Sequence, residues 1–551
     1  MKRFLPSLKK NAYEWTAFLL WCALTLVMVF SHEPWRDELQ SCLLARDLSI
    51  PGLFEQMKYE GHFLLWYLIL KPFLLAGLPA EFHSLLSWLL AVPAVYLVLF
   101  HSRFDRLLKT AAVFSAPMLY WYSIFSRCYA PIPLLLALIA SLYPERKKHF
   151  LLYGVLIALL ANTHVYAEGL VLFLFLELLF SFFREWKNAS PPQGNSRKEA
   201  WPFLYSALLI LAGVGFAFLT VIRSIFLSDF TSGVRFSFAQ IFHAVLNFAY
   251  LLYPRSYFTA NGLSLSGQEI FYLAWVVLGI AAFLTLFRKE KLLAGSGAFL
   301  LLILPLSFLF PAKIHWLRAG VYLFLVASIF FCRDRFLLAG VLLSLGWQFL
   351  FAVLVHSFVI PQRGLLFLLM VLFLYALRME NGSGKEEEEK EKRKLLFVRN
   401  YLLTCFFITL SGTLAVMADD LRFPYSGYSS CGDFLRKTVP KETTIHVWRA
   451  EDGSTLLSAL LPNRFYALDA RRVLSFHPHD FRNAVLEDPI KVLSELKEPA
   501  KVVILSVADK SEKEILESFT AGGHTYRKAY CSNENVMDSF ERYGVYLLEE
   551  K

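Results

Sequence analysis

Leu151-Leu152-Tyr153-Gly154-Val155-Leu156-Ile157-Ala158-Leu159-Leu160 carries no charge, and neither does the stretch from Gly297 to Phe310. Basic clusters stand just ahead of both, Arg146-Lys147-Lys148 before the first and Arg288-Lys289 with Lys291 before the second. Uncharged apolar runs separated by short basic loops are the pattern of membrane spans, because hydrocarbon tolerates no unpaired charge. Composition agrees along the whole chain. Hydrophobic residues make up 56% of the 551 positions, charged residues only 18%, and the mean hydropathy is +0.48. A soluble globular protein is about 45–50% apolar and about 25% charged. The net charge of +10 does not point to nucleic acid, since the Lys and Arg lie between apolar segments and form no single basic stripe.

A span needs about 20 apolar residues. Candidate segments are 14–31, 63–78, 83–100, 110–125, 130–143, 150–165, 167–183, 202–222, 268–287, 293–310, 318–332, 337–357, 363–378 and 396–416. Lys2, Arg3, Lys9 and Lys10 precede the first, and no small-residue cleavage site follows Phe30, so it reads as an uncleaved span. Short loops rich in Lys and Arg stay in the cytoplasm. That rule puts residues 1–10, 101–109, 144–149, 184–200, 288–291, 333–335 and 378–395 inside. Parity then requires one of the first three apolar segments not to cross. Segment 63–78, short and interrupted by Lys71-Pro72, is read as re-entrant or as lying at the interface. About thirteen spans remain, and the loop 32–62, the Arg127 turn, the 163–166 turn, the 223–267 stretch, 311–317 and everything after 417 face outward.

The chain changes character after residue 417. Thr443 to Trp448, Lys501 to Val507 and Tyr543 to Leu548 read as strands. Thr455 to Leu461, Ile490 to Leu496 and Ser511 to Phe519 read as helices. The expected fold is therefore mostly α: a polytopic transmembrane bundle over 1–417, with a small extracytoplasmic α/β domain over 418–551. Cys431 and Cys531 in that domain suit a disulfide or two buried thiols equally.

The first outward loop holds the densest chemistry. It reads His32-Glu33-Pro34-Trp35-Arg36-Asp37-Glu38, followed by Tyr59-Glu60-Gly61-His62. Two adjacent acids at a membrane surface can take a proton from a hydroxyl or hold a divalent ion, and they also suit a plain solvated loop. Arg127, Arg255, Lys313, His315 and Arg318 fall on the same predicted side, where they fit a phosphate or the lipid headgroups. His164 and Glu168 are spaced one helical turn apart, as cavity-lining groups or as a structural pair. His477-Pro478-His479-Asp480 in the tail has no evident third ligand and is a weak metal signal.

The run Glu33-Pro34-Trp35-Arg36-Asp37-Glu38, with Glu60-Gly61-His62 and Leu65-Trp66-Tyr67 about twenty-five residues on, resembles the first periplasmic loop of GT-C glycosyltransferases. That superfamily includes the protein O-mannosyltransferases, the aminoarabinose transferase of lipid A and the bacterial RgtA/B/C/D-like proteins. Phe63-Leu64 stands where the family usually has two prolines. Ser115-Ala116-Pro117 through Ser126-Arg127-Cys128-Tyr129-Ala130 resembles its second outward turn, without the acid that often follows the Arg. By motif the resemblance covers roughly 14–185.

The resemblance implies an inverting glycosyltransferase in the cell membrane, expected in the bacterial inner membrane. Its sugar donor is a polyprenyl phosphate, and its acceptor is a hydroxyl of a glycan, lipid or protein on the outer face. It implies Asp37 as the base and Glu38 as its support or as an acceptor ligand. Arg127, Arg255, Lys313 and Arg318 would hold the donor phosphate. Arg36, His62, Tyr129, His164, Glu168 and His315 would line the cavity. The one cofactor left open is a divalent cation on Asp37 and Glu38. A flippase for a lipid-linked sugar, and a catalytically silent assembly protein, are the competing classes. No inverted repeat supports a transporter.

Overall fold

The computed structural model describes residues 11–79, 83–188, 196–226, 241, 323, 326–354, 361–380, 388–448, 454–477, 488–507, 514–532 and 541–549. In chain order the helices of the body are α1 (Ala12–Ser31), α2 (Arg36–Asp47), α3 (Ile50–Glu60), α4 (Leu65–Leu75), α5 (His83–His101), α6 (Arg106–Val113), α7 (Ile132–Leu142), α8 (Phe150–Ala161), α9 (Glu168–Asn188), α10 (Ser196–Phe226), α11 (Arg335–Leu354), α12 (Pro361–Glu380) and α13 (Glu388–Asp420). The tail adds α14 (Tyr428–Thr438) and α15 (Pro489–Ser494). Among the described residues, five helical stretches are long and apolar enough to cross a membrane: Ala12–Ser31, His83–His101, Val165–Arg184, Trp201–Val221 and Arg335–Leu354. Leu19, Val27, Phe30, Phe180 and Leu219 on these helices stay exposed, as lipid-facing side chains do. Segments 268–287 and 293–310 lie outside the described residues.

Two expectations for the body are instructive. At eleven residues, α4 is about 16 Å long, half the hydrocarbon thickness. Its Lys71 donates to the carbonyls of Ala45 (2.9 Å) and Leu48 (2.5 Å), which ties α4 to the end of α2. Segment 110–125, expected as a span, is not a continuous helix. Helix α6 ends at Val113, a π-helical turn occupies Pro117–Trp121, and the chain then runs irregularly to Pro131. Pro117 and Pro131 lack the N–H a continuing helix needs. Residues 115–133 are buried throughout, the condition under which non-helical backbone is tolerated at such depth.

The loops gather into two sets. At one end Arg103 pairs with Glu380 (2.9 Å), Arg399 with Asp105 (2.6 Å), Arg378 with Asp334 (2.7 Å) and Arg106 with Glu14 (3.5 Å). At the other end the 32–62 loop, the 122–131 turn, the 162–167 turn and the start of the tail are in contact. Of the basic loops that the charge rule groups together, 101–109, 333–335 and the start of 378–395 meet at the first of these ends.

The tail is a seven-stranded mixed sheet in the order β3-β2-β1-β4-β7-β6-β5, with β1 (Ile445–Val447), β2 (Phe465–Ala467), β3 (Arg472–Val473), β4 (Val502–Ser506), β5 (Ser518–Ala521), β6 (His524–Cys531) and β7 (Tyr543–Leu548). β1 is parallel to both β2 and β4; β4–β7, β7–β6, β6–β5 and β2–β3 are antiparallel. The expected strands β1, β4 and β7 form. The helix expected over Ser511 to Phe519 does not, because Ser518 and Phe519 pair with Arg527 and Tyr526 as edge strand β5. Alternation sorts the strands into two faces. Ile445, Val447, Phe465, Ala467, Val502, Ile504, Tyr543 and Val545 join the core that continues into the helical body, while Val503, Tyr526 and Tyr546 pack with Trp448, Val492 and Phe519 in a second core. Cys431 and Cys531 are both free thiols.

Helices α8 and α10 cross closely because small residues meet there: a Cβ on Gly213 would lie 2.6 Å from Ala158 Cβ and 2.8 Å from its Cα. Gly213→Leu is therefore expected to lower the Tm in detergent by several degrees, an overpacking cost of about 1–3 kcal/mol. Gly215→Leu, where nothing lies within 4 Å, should leave it unchanged. Equal effects of the two would refute the close crossing.

Candidate functional site

The two adjacent acids have opposite fates because α2 starts between them and the body. Helix geometry puts successive side chains about 100° apart, so Asp37 and Glu38 cannot point the same way. Glu38, at the third helical position, turns back to accept from the Trp35 N–H at 3.2 Å, one arm of a capping box. It also accepts from His32 Nε2 (3.0 Å), His83 Nε2 (3.2 Å) and the Ser126 N–H (2.6 Å). Its side chain has no exposure. Every oxygen lone pair is engaged, so Glu38 holds structure in place and no acceptor or metal reaches it.

His32 completes this buried cluster. Its Nδ1 lies 2.9 Å from Asp420 Oδ2 and its Nε2 3.0 Å from Glu38 Oε2. Carboxylates only accept, so both nitrogens donate and the ring is an imidazolium. Burial by itself would lower the His32 pKa. Asp420 and Glu38 overcome it and raise the value to about 10. Burial likewise works against Glu38 ionisation, and His32 with His83 overrides it, holding this carboxyl far below the usual range. Tyr120 donates to the same Asp420 oxygen at 2.7 Å.

Asp37 faces the other way, about one-third exposed. Arg127 Nη2 lies 3.2 Å from Asp37 Oδ2, and Arg127 Nη1 donates to the Asp37 carbonyl at 2.9 Å. The guanidinium lies over the Trp35 ring at 5.8 Å and also donates to His62 Nε2 at 3.0 Å. Arg36 Nε is 3.6 Å from Asp37 Oδ1. The rings of His62 and Tyr129 each lie 6.2 Å from that of His164. Asp37, Arg36, Arg127, His62, Tyr129 and His164 are thus brought together from three separate segments. His164 and Glu168 do not share a helix face: His164 is extended, Val165–Ala167 is a 3₁₀ turn, and Glu168 opens α9. Arg255, Lys313, His315 and Arg318 lie outside the described residues, as do His479 and Asp480. A divalent cation on Asp37 and Glu38, left open by the sequence, does not fit, since one carboxylate is saturated with N–H donors and the other is turned to two guanidinium groups.

Spacing alone did not single out three further groups. Glu60, buried and accepting from Gln40 (3.0 Å) and Gln56 (3.1 Å), has its pKa raised by burial to about 7. Gln40 in turn donates to the His477 carbonyl (2.6 Å) and accepts from its N–H (3.0 Å). Glu541 Oε1 accepts from the Arg36 N–H at 2.8 Å, at the start of α2. Nothing local marks these links to the tail, because His477 lies 437 residues from Gln40 and Glu541 lies 505 from Arg36. An apolar cavity lined by Leu97, His101, Phe104, Leu369, Phe373 and Glu380 belongs to the opposite end of the body and is not the candidate site.

A mostly helical body with apolar helices long enough to cross a membrane is consistent with membrane association, and its buried charged cluster lies where the loops meet a small α/β tail. No family model matches the chain, no curated protein matches it, and no solved structure matches it.

The cluster sets a pH window for stability. The His32 pKa is raised, so its contribution is complete below about 6.5 and fades as pH climbs through about 10. The Glu38 pKa is lowered, so its contribution is present above about 4.5 and fades in stronger acid. His32→Gln should lower the Tm at pH 7 and flatten its decline between pH 7 and 10, as read by thermal unfolding in detergent. An unchanged alkaline decline would refute the charged ring.

Proposed function

We propose that the protein is an integral membrane glycosyltransferase that moves a sugar from a polyprenyl-phosphate carrier to an acceptor hydroxyl on the outer face of the membrane, with inversion. The observation that carries this reading is the half-open pair of Asp37 and Arg127, 3.2 Å apart at the junction of three loops. A base and a fixed cation side by side are what the transfer requires. Asp37 takes the hydroxyl proton as that oxygen attacks the anomeric carbon. The bond from that carbon to the phosphate oxygen breaks on the opposite face, and its electron pair leaves with the phosphate. The planar fork of Arg127 suits an oxyanion of that kind. Glu38 fixes the N-terminus of α2, so that Asp37 stays aimed outward. The tail, bonded to α2 through His477 and Glu541, covers one side of the site and offers a surface for the acceptor.

The reading needs the Asp37 end of the body outside the cell and the end holding Arg103, Arg378 and Arg399 inside, as the Lys and Arg distribution predicts. A thiol reagent that cannot cross the membrane should label Asp433→Cys above the unsubstituted chain in intact cells, and should not label Lys390→Cys. The reverse pattern overturns the orientation.

Asp37→Asn should cost 10²-fold or more in transfer from polyprenyl-phosphate hexoses or pentoses, the usual loss on removing a general base, with Tm unchanged. Full transfer by this variant would end the assignment of Asp37 as base.

A further inference from the structure

Asp37 and Glu38 offer no metal site, but a different donor set lies beside them. His62 follows α3, Cys128 sits in the 122–131 turn, and His164 precedes α9. One ligand atom from each lies within 4.8 Å of the others. We propose that His62, Cys128 and His164 form a binding site for a soft divalent ion of the zinc class, with a fourth position open to water or an anion oxygen.

The donor types decide the ion. Two imidazoles and a thiolate select zinc or cobalt over magnesium or calcium, which demand oxygen shells. Three protein ligands with an open place are the arrangement of catalytic rather than structural zinc. The hydrogen bonds also keep both histidines in the neutral form that ligation needs. A guanidinium has nothing to accept with, so His62 Nε2, 3.0 Å from Arg127 Nη2, carries a lone pair. His164 Nδ1 accepts from the Tyr166 N–H at 3.2 Å and carries one too. Cys128 is buried, whereas His62 and His164 are partly exposed, so an ion has a way in from one side.

Two things must change as the ion binds. With bonds of about 2.1 Å to nitrogen and 2.3 Å to sulfur, tetrahedral ligands stand about 3.3–3.6 Å apart, so the three loops close by about 1 Å. The lone pairs must also be released. Arg127 gives up His62 and keeps Asp37, and the His164 ring turns or exchanges tautomers. The Cys128 S–H proton leaves to solvent as the sulfur–metal bond forms. Arg127 beside the site opposes a dication; the thiolate and the nearby carboxylates of Asp37 and Glu60 offset it. Metal and Arg127 therefore compete for one imidazole.

The test needs no substrate, so it stands apart from the transferase reading. The full chain, purified in detergent with chelator and then freed of it, is titrated with Co²⁺ as a spectroscopic stand-in for Zn²⁺. The expected result is one Co²⁺ per chain with tetrahedral d–d bands and a sulfur-to-cobalt charge-transfer band, both removed by Zn²⁺. Cys128→Ser should lose the charge-transfer band, and His164→Ala should weaken binding at least tenfold. Cys42→Ser, a buried thiol outside the cluster, should change neither. Arg127→Met should tighten binding. X-ray absorption of the zinc-loaded unsubstituted protein should show one sulfur with nitrogen ligands, a readout that does not depend on any variant folding. No tetrahedral bands at saturating Co²⁺, an all-oxygen zinc shell, or a charge-transfer band that survives Cys128→Ser would each overturn the site.

Discussion

A protonated histidine without solvent contact, held between two carboxylates, is the joint on which the described structure turns. His32 ends the first membrane-length helix, Glu38 lies in the first turn of α2, and Asp420 closes α13. One ring therefore binds the junction of α1 and α2 to the end of α13, 388 residues further along the chain. Such a cluster adds little net stability as a whole, because desolvation of each charge nearly cancels the attraction. Removing one member, however, leaves the others buried and unpaired, at a cost of roughly 3–5 kcal/mol. That asymmetry makes the joint specific: a competing packing of the loop would strand a charge. His83 and Tyr120 extend it into α5 and the buried 115–133 segment, so few ways of packing the loop remain.

From this joint the direction of Asp37 follows. Glu38 faces inward to meet His32, so its neighbour faces out, where Arg127 meets it. The tail secures the same short helix from above. Glu541 receives the Arg36 N–H, His477 exchanges two hydrogen bonds with Gln40, and Ser475 donates to Asp47 at 2.5 Å. Lower on the loop, Glu33 accepts from the N–H groups of Ser426 and Ser429, both at 3.1 Å. The α/β tail is thus not a separate bead on a linker. One face of its sheet shares a core with the helical body, and its polar groups complete the surroundings of the loop.

The irregular backbone of the 114–131 segment has a cost that a long helix would avoid, since its N–H and C=O groups find no regular ladder. The protein meets it by burial among aromatic rings, with Trp121 stacked on Phe125 at 5.1 Å and Tyr122 against Tyr129 at 5.0 Å. What it gains is the placement of Ser126, Arg127 and Cys128 within reach of Glu38, Asp37 and the two histidines, respectively. A straight helix could not send three consecutive residues to three such partners.

Local chemistry decided what the sequence could decide alone. Uncharged runs determine long apolar helices, because hydrocarbon and helix hydrogen bonding leave no alternative. Lys71-Pro72 marked the 63–78 run as short, and its helix α4 has only eleven residues. Short apolar runs gave β1, β4 and β7, and the crowding of His, Glu, Asp and Arg in 32–38 marked the loop as the candidate site. Local reading failed where the partner was remote. Pro117 lies inside the 110–125 run, but the run's apolarity concealed the break. Phe519 became a strand only because Tyr526 paired with it across the hairpin. Which of two adjacent acids faces outward, and that Glu60 is buried beside them, were decided by contacts between segments up to ninety residues apart, and that Gln40 and Glu541 matter at all was decided by contacts more than 400 residues apart. Spacing cannot encode such contacts, since they arise only once the tail folds down onto the first loop.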